Sequence, residues 1–190
     1  MTESLATNDE APDEGAHSSV SFGDWPSEEA SAAEFDRRIE SCGLFERVFR
    51  EVRGYYLSPR PNRQTKDARI DRFLIPGRQL REAGWARDIG VEIKRSGEKI
   101  GRPLAQAIDY TYCAFNVGWH WMMAENVFLW PFPKQYRTTE SVMLQNGVGV
   151  IYDSPSSLFV FQLEKQVIRI ERDGSFRVQP AVSGTKVGSR

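Results

Sequence analysis

Two short runs, Arg69–Ile75 (Arg-Ile-Asp-Arg-Phe-Leu-Ile) and Val91–Lys94 (Val-Glu-Ile-Lys), are β-branched and apolar enough to form strands, yet each carries charge in its interior. Side chains at i and i+2 share one face of a strand. Glu92 and Lys94 therefore project together, with Val91 and Ile93 on the other side. Asp71 lies 21 positions before Glu92, a distance that a strand pair can span. If the two runs neighbour each other, two carboxylates and an ammonium converge at one end of a small sheet. Oxygen ligands of this kind suit a hard divalent cation, and a lysine beside them suits a phosphate or an attacking water. The plainer alternatives are an Asp71 ion pair with Arg69 or Arg72, and a solvated Glu92–Lys94 pair.

The 190 residues are enough for one domain with its own core. No stretch approaches the ~18 apolar residues that span a bilayer. The N-terminus lacks the layout of a secretory signal, and the two cysteines, Cys42 and Cys113, are too few for a disulfide framework or a four-cysteine metal site. A cytoplasmic protein with buried, reduced thiols and no membrane association is expected. Charge is unevenly placed. Of the 26 acidic residues, eight lie in residues 1–33, where there is no lysine or arginine. The remainder holds all 25 basic residues against 18 acids, a balance of +7. Most of those cations are arginines, which favour phosphate contacts.

Residues 1–33 read as a disordered acidic tail, 34–179 as the folded domain, and 180–190 as a flexible end. A helix is expected from Ser31, with Glu34 completing a capping box, to about Val52. Gly43 interrupts it, and Leu44, Phe45, Val48, Phe49, Val52 and Tyr55 form its apolar face. Strands follow at about 68–75 and within 80–94. Pro103 opens a helix over about 103–116. A strand at 126–132, a helix at 138–146 and a strand at 148–152 come next. Leu158–Leu163 reads as a buried strand, and Arg172-Asp173-Gly174 as a hairpin turn between 167–171 and 175–179. Trp119-His120-Trp121-Met122-Met123 reads as core packing. The fold class is α/β with a mixed sheet and extra antiparallel strands at the C-terminus.

Asp71, the triplet Glu92-Ile93-Lys94 and the helical Gln106-Ala107-Ile108-Asp109-Tyr110 together resemble the PD-(D/E)XK nuclease superfamily, and most closely its RecB-like and phage-type nuclease domains. The resemblance covers roughly residues 34–132. It implies a restriction-endonuclease-like core of helix, three strands, helix and strand. It also implies Mg²⁺, with Mn²⁺ accepted, held by Asp71, Glu92 and the Ile93 carbonyl, while Lys94 assists the attacking water. Gln106 and Tyr110, one helical turn apart, would support substrate placement. Glu46 or Glu51, Glu46 fitting the family's distance from the glycine that ends the helix, would supply a further carboxylate from the preceding helix, and Arg69, Arg72, Arg95 and Arg102 would hold the DNA backbone. DNA is the implied partner, in repair, recombination or phage replication, and a homo-oligomer or a larger nucleic-acid-processing complex is compatible with it. Ile70 replaces the motif's proline, and the cysteine cluster of iron–sulfur members is absent. The family also contains inactive members, so a module that binds nucleic acid or a protein without cutting is the alternative. A weaker possibility is that the acidic tail mimics DNA and covers the basic face in cis.

Overall fold

The computed structural model describes residues 25–57, 67–85, 87–96, 98–132, 137–152 and 156–180. The chain begins with helix α1 (Glu28–Cys42). Ser27 caps it by accepting a 3.1 Å hydrogen bond from the Ala30 amide, and Gly43 closes it in the left-handed conformation. Residues 28–33 are thus helix, not tail, and the cap is Ser27, not Ser31, which lies buried within the helix. Residues 1–24 and 181–190, and the nine residues 58–66, lie outside the described residues.

Residues 45–56, expected to continue the helix, form strand β1 (Phe45–Tyr56). Aromatic and β-branched residues there favour an extended chain, and two irregularities disguise the period of two. The pairing register slips between Phe45 and Arg47, and Glu51 has a positive φ of 50°. Phe45 and Val48 consequently pack on one side of the sheet, Phe49 and Val52 on the other. This spacing of three mimics a helical stripe. Tyr55, placed in the core by that stripe, is exposed.

Strand β2 (Asp67–Pro76) follows, then a single helical turn, α2 (Arg78–Glu82), where a strand was expected. Strand β3 (Ile89–Ile93) is buried along its whole length. Helix α3 (Gly101–Tyr110) stops six residues short of expectation, because 113–117 turn back as β4 (Cys113–Val117) against β5 (His120–Met123). The remaining elements are β6 (Asn126–Trp130), α4 (Arg137–Gln145), β7 (Val148–Tyr152), β8 (Ser157–Gln162), β9 (Gln166–Glu171) and β10 (Phe176–Pro180). All six lie close to the positions expected from sequence.

The strands form one ten-stranded mixed sheet in the order β10-β9-β8-β7-β6-β3-β2-β1-β4-β5. β3 with β6 and β6 with β7 are parallel, and the other pairs are antiparallel. Alternation along β6 divides the core: Phe128 and Trp130 pack with Phe35 and Ile39 of α1, while Val127 and Leu129 pack with Ala107 of α3 and Met143 of α4. Among the described residues no helix is long and apolar enough to cross a membrane.

Gly54 shows how closely β1 and β4 approach. A Cβ there would lie 2.5 Å from the Ala114 carbonyl oxygen and 2.6 Å from the Phe115 ring. Since backbone has to move to admit it, Gly54→Ala is expected to cost about 1–3 kcal/mol. Urea unfolding should show a lower midpoint at an unchanged slope. An unshifted midpoint would mean that this approach is looser than described.

Candidate functional site

Strand β3 lies between antiparallel β2 and parallel β6. Its pairing with β2 runs from Leu74–Ile89 to Arg72–Val91 and stops there, one residue before Asp71 and Glu92. Beyond that point Asp71 Oδ2 accepts a 2.6 Å hydrogen bond from the Ile93 amide, so a carboxylate takes the place of the next ladder carbonyl. On the other side the Lys94 amide donates to the Trp130 carbonyl at 2.8 Å and extends the parallel pairing by one residue. Asp71, Glu92 and Lys94 are thereby fixed at the carboxyl end of β3 by main-chain bonds on both flanks.

The Glu92 side chain is 1% exposed. Lys94 Nζ lies 2.7 Å from Glu92 Oε1, yet neither carboxylate oxygen receives a well-aligned hydrogen bond. Burial, and next the charge of Asp71, push the Glu92 carboxyl up to about 8, against the opposing pull of Lys94. Asp71 is also raised, chiefly by burial, with the Ile93 amide working the other way. Burial alone would lower the Lys94 ammonium, but Glu92 and Glu28 outweigh it and raise it, so Lys94 stays protonated. Glu92 is therefore the group in this pair that titrates near neutral pH.

Glu28, in the first turn of α1, completes the group: its Oε1 accepts from Lys94 Nζ at 2.8 Å. Sequence reasoning missed it by assigning residue 28 to a tail. The signal was present, because Ser27 followed by two acids is a helix start. The preceding residues hold α1 in place. Trp25 and Ser96 exchange two hydrogen bonds of 3.0 and 3.2 Å, and the Trp25 ring lies 5.2 Å from that of Trp130. The buried Arg38 guanidinium lies 5.4–5.9 Å from the rings of Trp25, Trp130 and Phe159, bonded to Glu34 and the Leu158 carbonyl.

The other expected residues divide. Gln106 Nε2 donates to the Tyr110 hydroxyl at 2.6 Å, and that hydroxyl donates to the Arg69 carbonyl. The Gln106–Tyr110 pair thus braces β2 two residues before Asp71, from the α3 side of the sheet. Glu46 is not brought to the site. It lies where β1 begins, paired with Arg81 of α2 at 3.2 Å, beside Pro76 and five residues along β2 from Asp71, roughly 17 Å. Its assignment depended on β1 being helical. Arg72 is buried against Asp36 at 2.7 Å and holds α1 to the sheet, while Arg69, Arg95 and Arg102 are exposed. Trp119 and Trp121, expected in the core, lie on the surface.

Among the described residues no three His, Cys, Asp or Glu side chains converge as a metal-ligand set. The Lys94 ammonium occupies the space between Glu92 and Glu28. Comparison with protein-family models, with curated proteins and with solved structures returns no match to this chain.

A carboxyl raised in the folded state binds a proton that the unfolded chain releases near its ordinary value of 4.5. The native state then holds more protons between about 4.5 and 8, so stability falls as pH rises through that window. In chelator, Glu92→Gln is expected to match the wild type near pH 5 and to exceed it increasingly towards pH 8–9. Thermal unfolding across this pH range measures the difference. Parallel pH profiles for the two proteins would contradict a raised Glu92.

Proposed function

We propose that the chain is a metal-dependent deoxyribonuclease that hydrolyses DNA phosphodiester bonds at the Asp71–Glu92–Lys94 site. The observation that carries this reading is the buried Glu92 carboxylate, whose oxygens lack aligned hydrogen bonds although Asp71, Glu28 and an ammonium surround it. A buried carboxylate whose one close partner is a poorly aligned ammonium, and which has a second carboxylate nearby, is costly to ionise, and a divalent cation would offset that cost. The element order supports the same reading: α1, three antiparallel strands β1–β2–β3, α3, and β6 parallel to β3 match the order of a restriction-endonuclease-like core.

The donor set suits a hard cation. Asp71, Glu92 and the Ile93 carbonyl would hold Mg²⁺ or Mn²⁺, with Glu28 beside Lys94 and Glu51 opposite Asp71 as further carboxylates. Such an ion supplies Lewis acidity and a more acidic water. The other contributions come from the protein. Asp71, anchored on the Ile93 amide, keeps the two strand ends at a fixed separation. Glu92, whose carboxyl is raised to about 8, would have to be in its carboxylate form to serve as a ligand. Lys94, held protonated, donates hydrogen bonds instead of acting as a base. It orients the attacking water and favours the extra negative charge of the pentacovalent transition state. The exposed Arg69, Arg95 and Arg102 offer contacts to the DNA backbone. Gln106 and Tyr110 act through β2 and serve as positioning residues.

The alternative, an inactive module on the same fold, would bind without cutting. Linear, circular, single-stranded and branched DNA incubated with Mg²⁺, Mn²⁺ or chelator distinguishes the two. Metal-dependent cleavage is expected, reduced about a hundredfold or more in Lys94→Ala and Glu92→Gln, folded as judged by circular dichroism. Glu28→Gln is expected to lower the rate, whereas Glu46→Ala leaves it unchanged. Wild-type protein that cuts no DNA form with either metal would overturn the proposal.

A further inference from the structure

Glu92 and Glu28 reach the end of β3 from opposite faces of the sheet. Val91 and Ile93 pack in one cluster with Phe35 and Ile39 of α1, so Glu92, between them in β3, projects to the α3 side. Glu28 comes from the other layer, in the first turn of α1. Lys94 lies one residue past the strand and reaches both. Its Nζ is 2.7 Å from Glu92 Oε1 and 2.8 Å from Glu28 Oε1.

The two contacts are not equivalent. The ammonium donates an aligned hydrogen bond to Glu28, whereas neither oxygen of Glu92 receives one. The Glu28 side chain is 52% exposed, that of Glu92 only 1%. The solvated carboxylate therefore sets the direction of the ammonium, and the buried one receives its charge without a directed bond. Glu28 is also fastened to the segment that carries Lys94. Trp25, three residues before Glu28, and Ser96, two residues after Lys94, exchange hydrogen bonds of 3.0 and 3.2 Å. The chain ahead of α1 and the chain after β3 form a clasp around the Glu28–Lys94 contact.

A divalent cation arriving at Glu92 meets an ammonium already beside the same carboxylate. In a buried site the repulsion between the two is weakly screened. An ammonium with no second partner would have to leave the site or exclude the ion. With Glu28 in place it has another carboxylate to remain on, at the margin of the site.

We propose that Glu28 is a positioning residue that acts through Lys94, keeping the ammonium beside the site while a divalent cation takes Glu92. This rests on the nuclease reading and deepens it, because it sets how readily the site accepts its metal. In this role Glu28 touches the lysine and not the ion.

Mn²⁺ binding to the full-length protein without DNA, read from the loss of the free-ion paramagnetic resonance signal, tests this. Glu28→Gln is expected to weaken binding about tenfold. In a Lys94→Met background the same change should weaken it no more than about threefold, the effect of a half-exposed, screened charge. Glu28→Asp keeps the charge but draws the carboxylate back from the ammonium, so it should behave like Glu28→Gln. It also keeps the test valid should Lys94→Met unfold. An equal tenfold loss in both backgrounds would make Glu28 a ligand and overturn the inference, as would wild-type affinity in Glu28→Asp. If neither the wild type nor Lys94→Met binds Mn²⁺, the metal-dependent reading fails and the inference with it. Wild-type binding that is not coupled to Lys94 through Glu28 defeats the inference alone.

Discussion

A carboxylate buried in the middle of a ten-stranded sheet sets the conditions for the rest of this end of the molecule. Glu92 follows three buried residues of β3 and lies where the β2–β3 pairing stops. Leaving it charged and alone would cost several kcal/mol. The Lys94 ammonium limits that cost, whereas the charges of Asp71 and Glu28 add to it and their part is positional. Asp71 bonds the Ile93 amide and so fixes the gap between the strands. Lys94 brings a positive charge within 2.7 Å. Glu28 holds the other side of that ammonium at 2.8 Å. When all four groups are ionised, three negative charges face one positive charge, and the excess of two matches a divalent cation. The placement of α1 matters for the same reason, since the Arg38 and Trp25 contacts that seat it on the sheet also deliver Glu28.

The legible part of the sequence was the part with unbroken periodicity. Val91–Lys94 alternates cleanly, so the shared direction of Glu92 and Lys94 could be anticipated from side-chain direction alone, whereas Asp71 was placed by its strand-like run and its distance from Glu92. The C-terminal strands and the Gly174 turn were visible for the same reason. β1 was not, because a register slip at its start and the positive φ of Glu51 change the spacing of its inward side chains from two to three. That misreading had a consequence for the site: a helix through residue 46 made Glu46 the natural extra carboxylate, whereas the helix ends at Cys42 and contributes Glu28 from its other end. The β4–β5 hairpin was missed because Gly118-Trp119 lacks the Asn-Gly type of turn signature, and a run of aromatic residues is more often core than edge.

The two edges and two faces of the sheet are treated differently. Helices α3 and α4 cover one face, and α1 packs on the other against β3, β6 and β8. Gln106 and Tyr110 support β2 from the α3 side, where burial, and next the charge of Glu92, push the Tyr110 hydroxyl up.

The most direct measurement of the central claim is the number of protons released when Mg²⁺ or Mn²⁺ is added at pH 7, obtained by titration calorimetry in buffers of different ionisation heat. With Glu92 raised to about 8, most molecules carry its proton at that pH, so binding should expel about one proton. Both the binding and the release should disappear in Glu92→Gln. Metal binding without proton release, or binding that persists in the variant, would contradict the account.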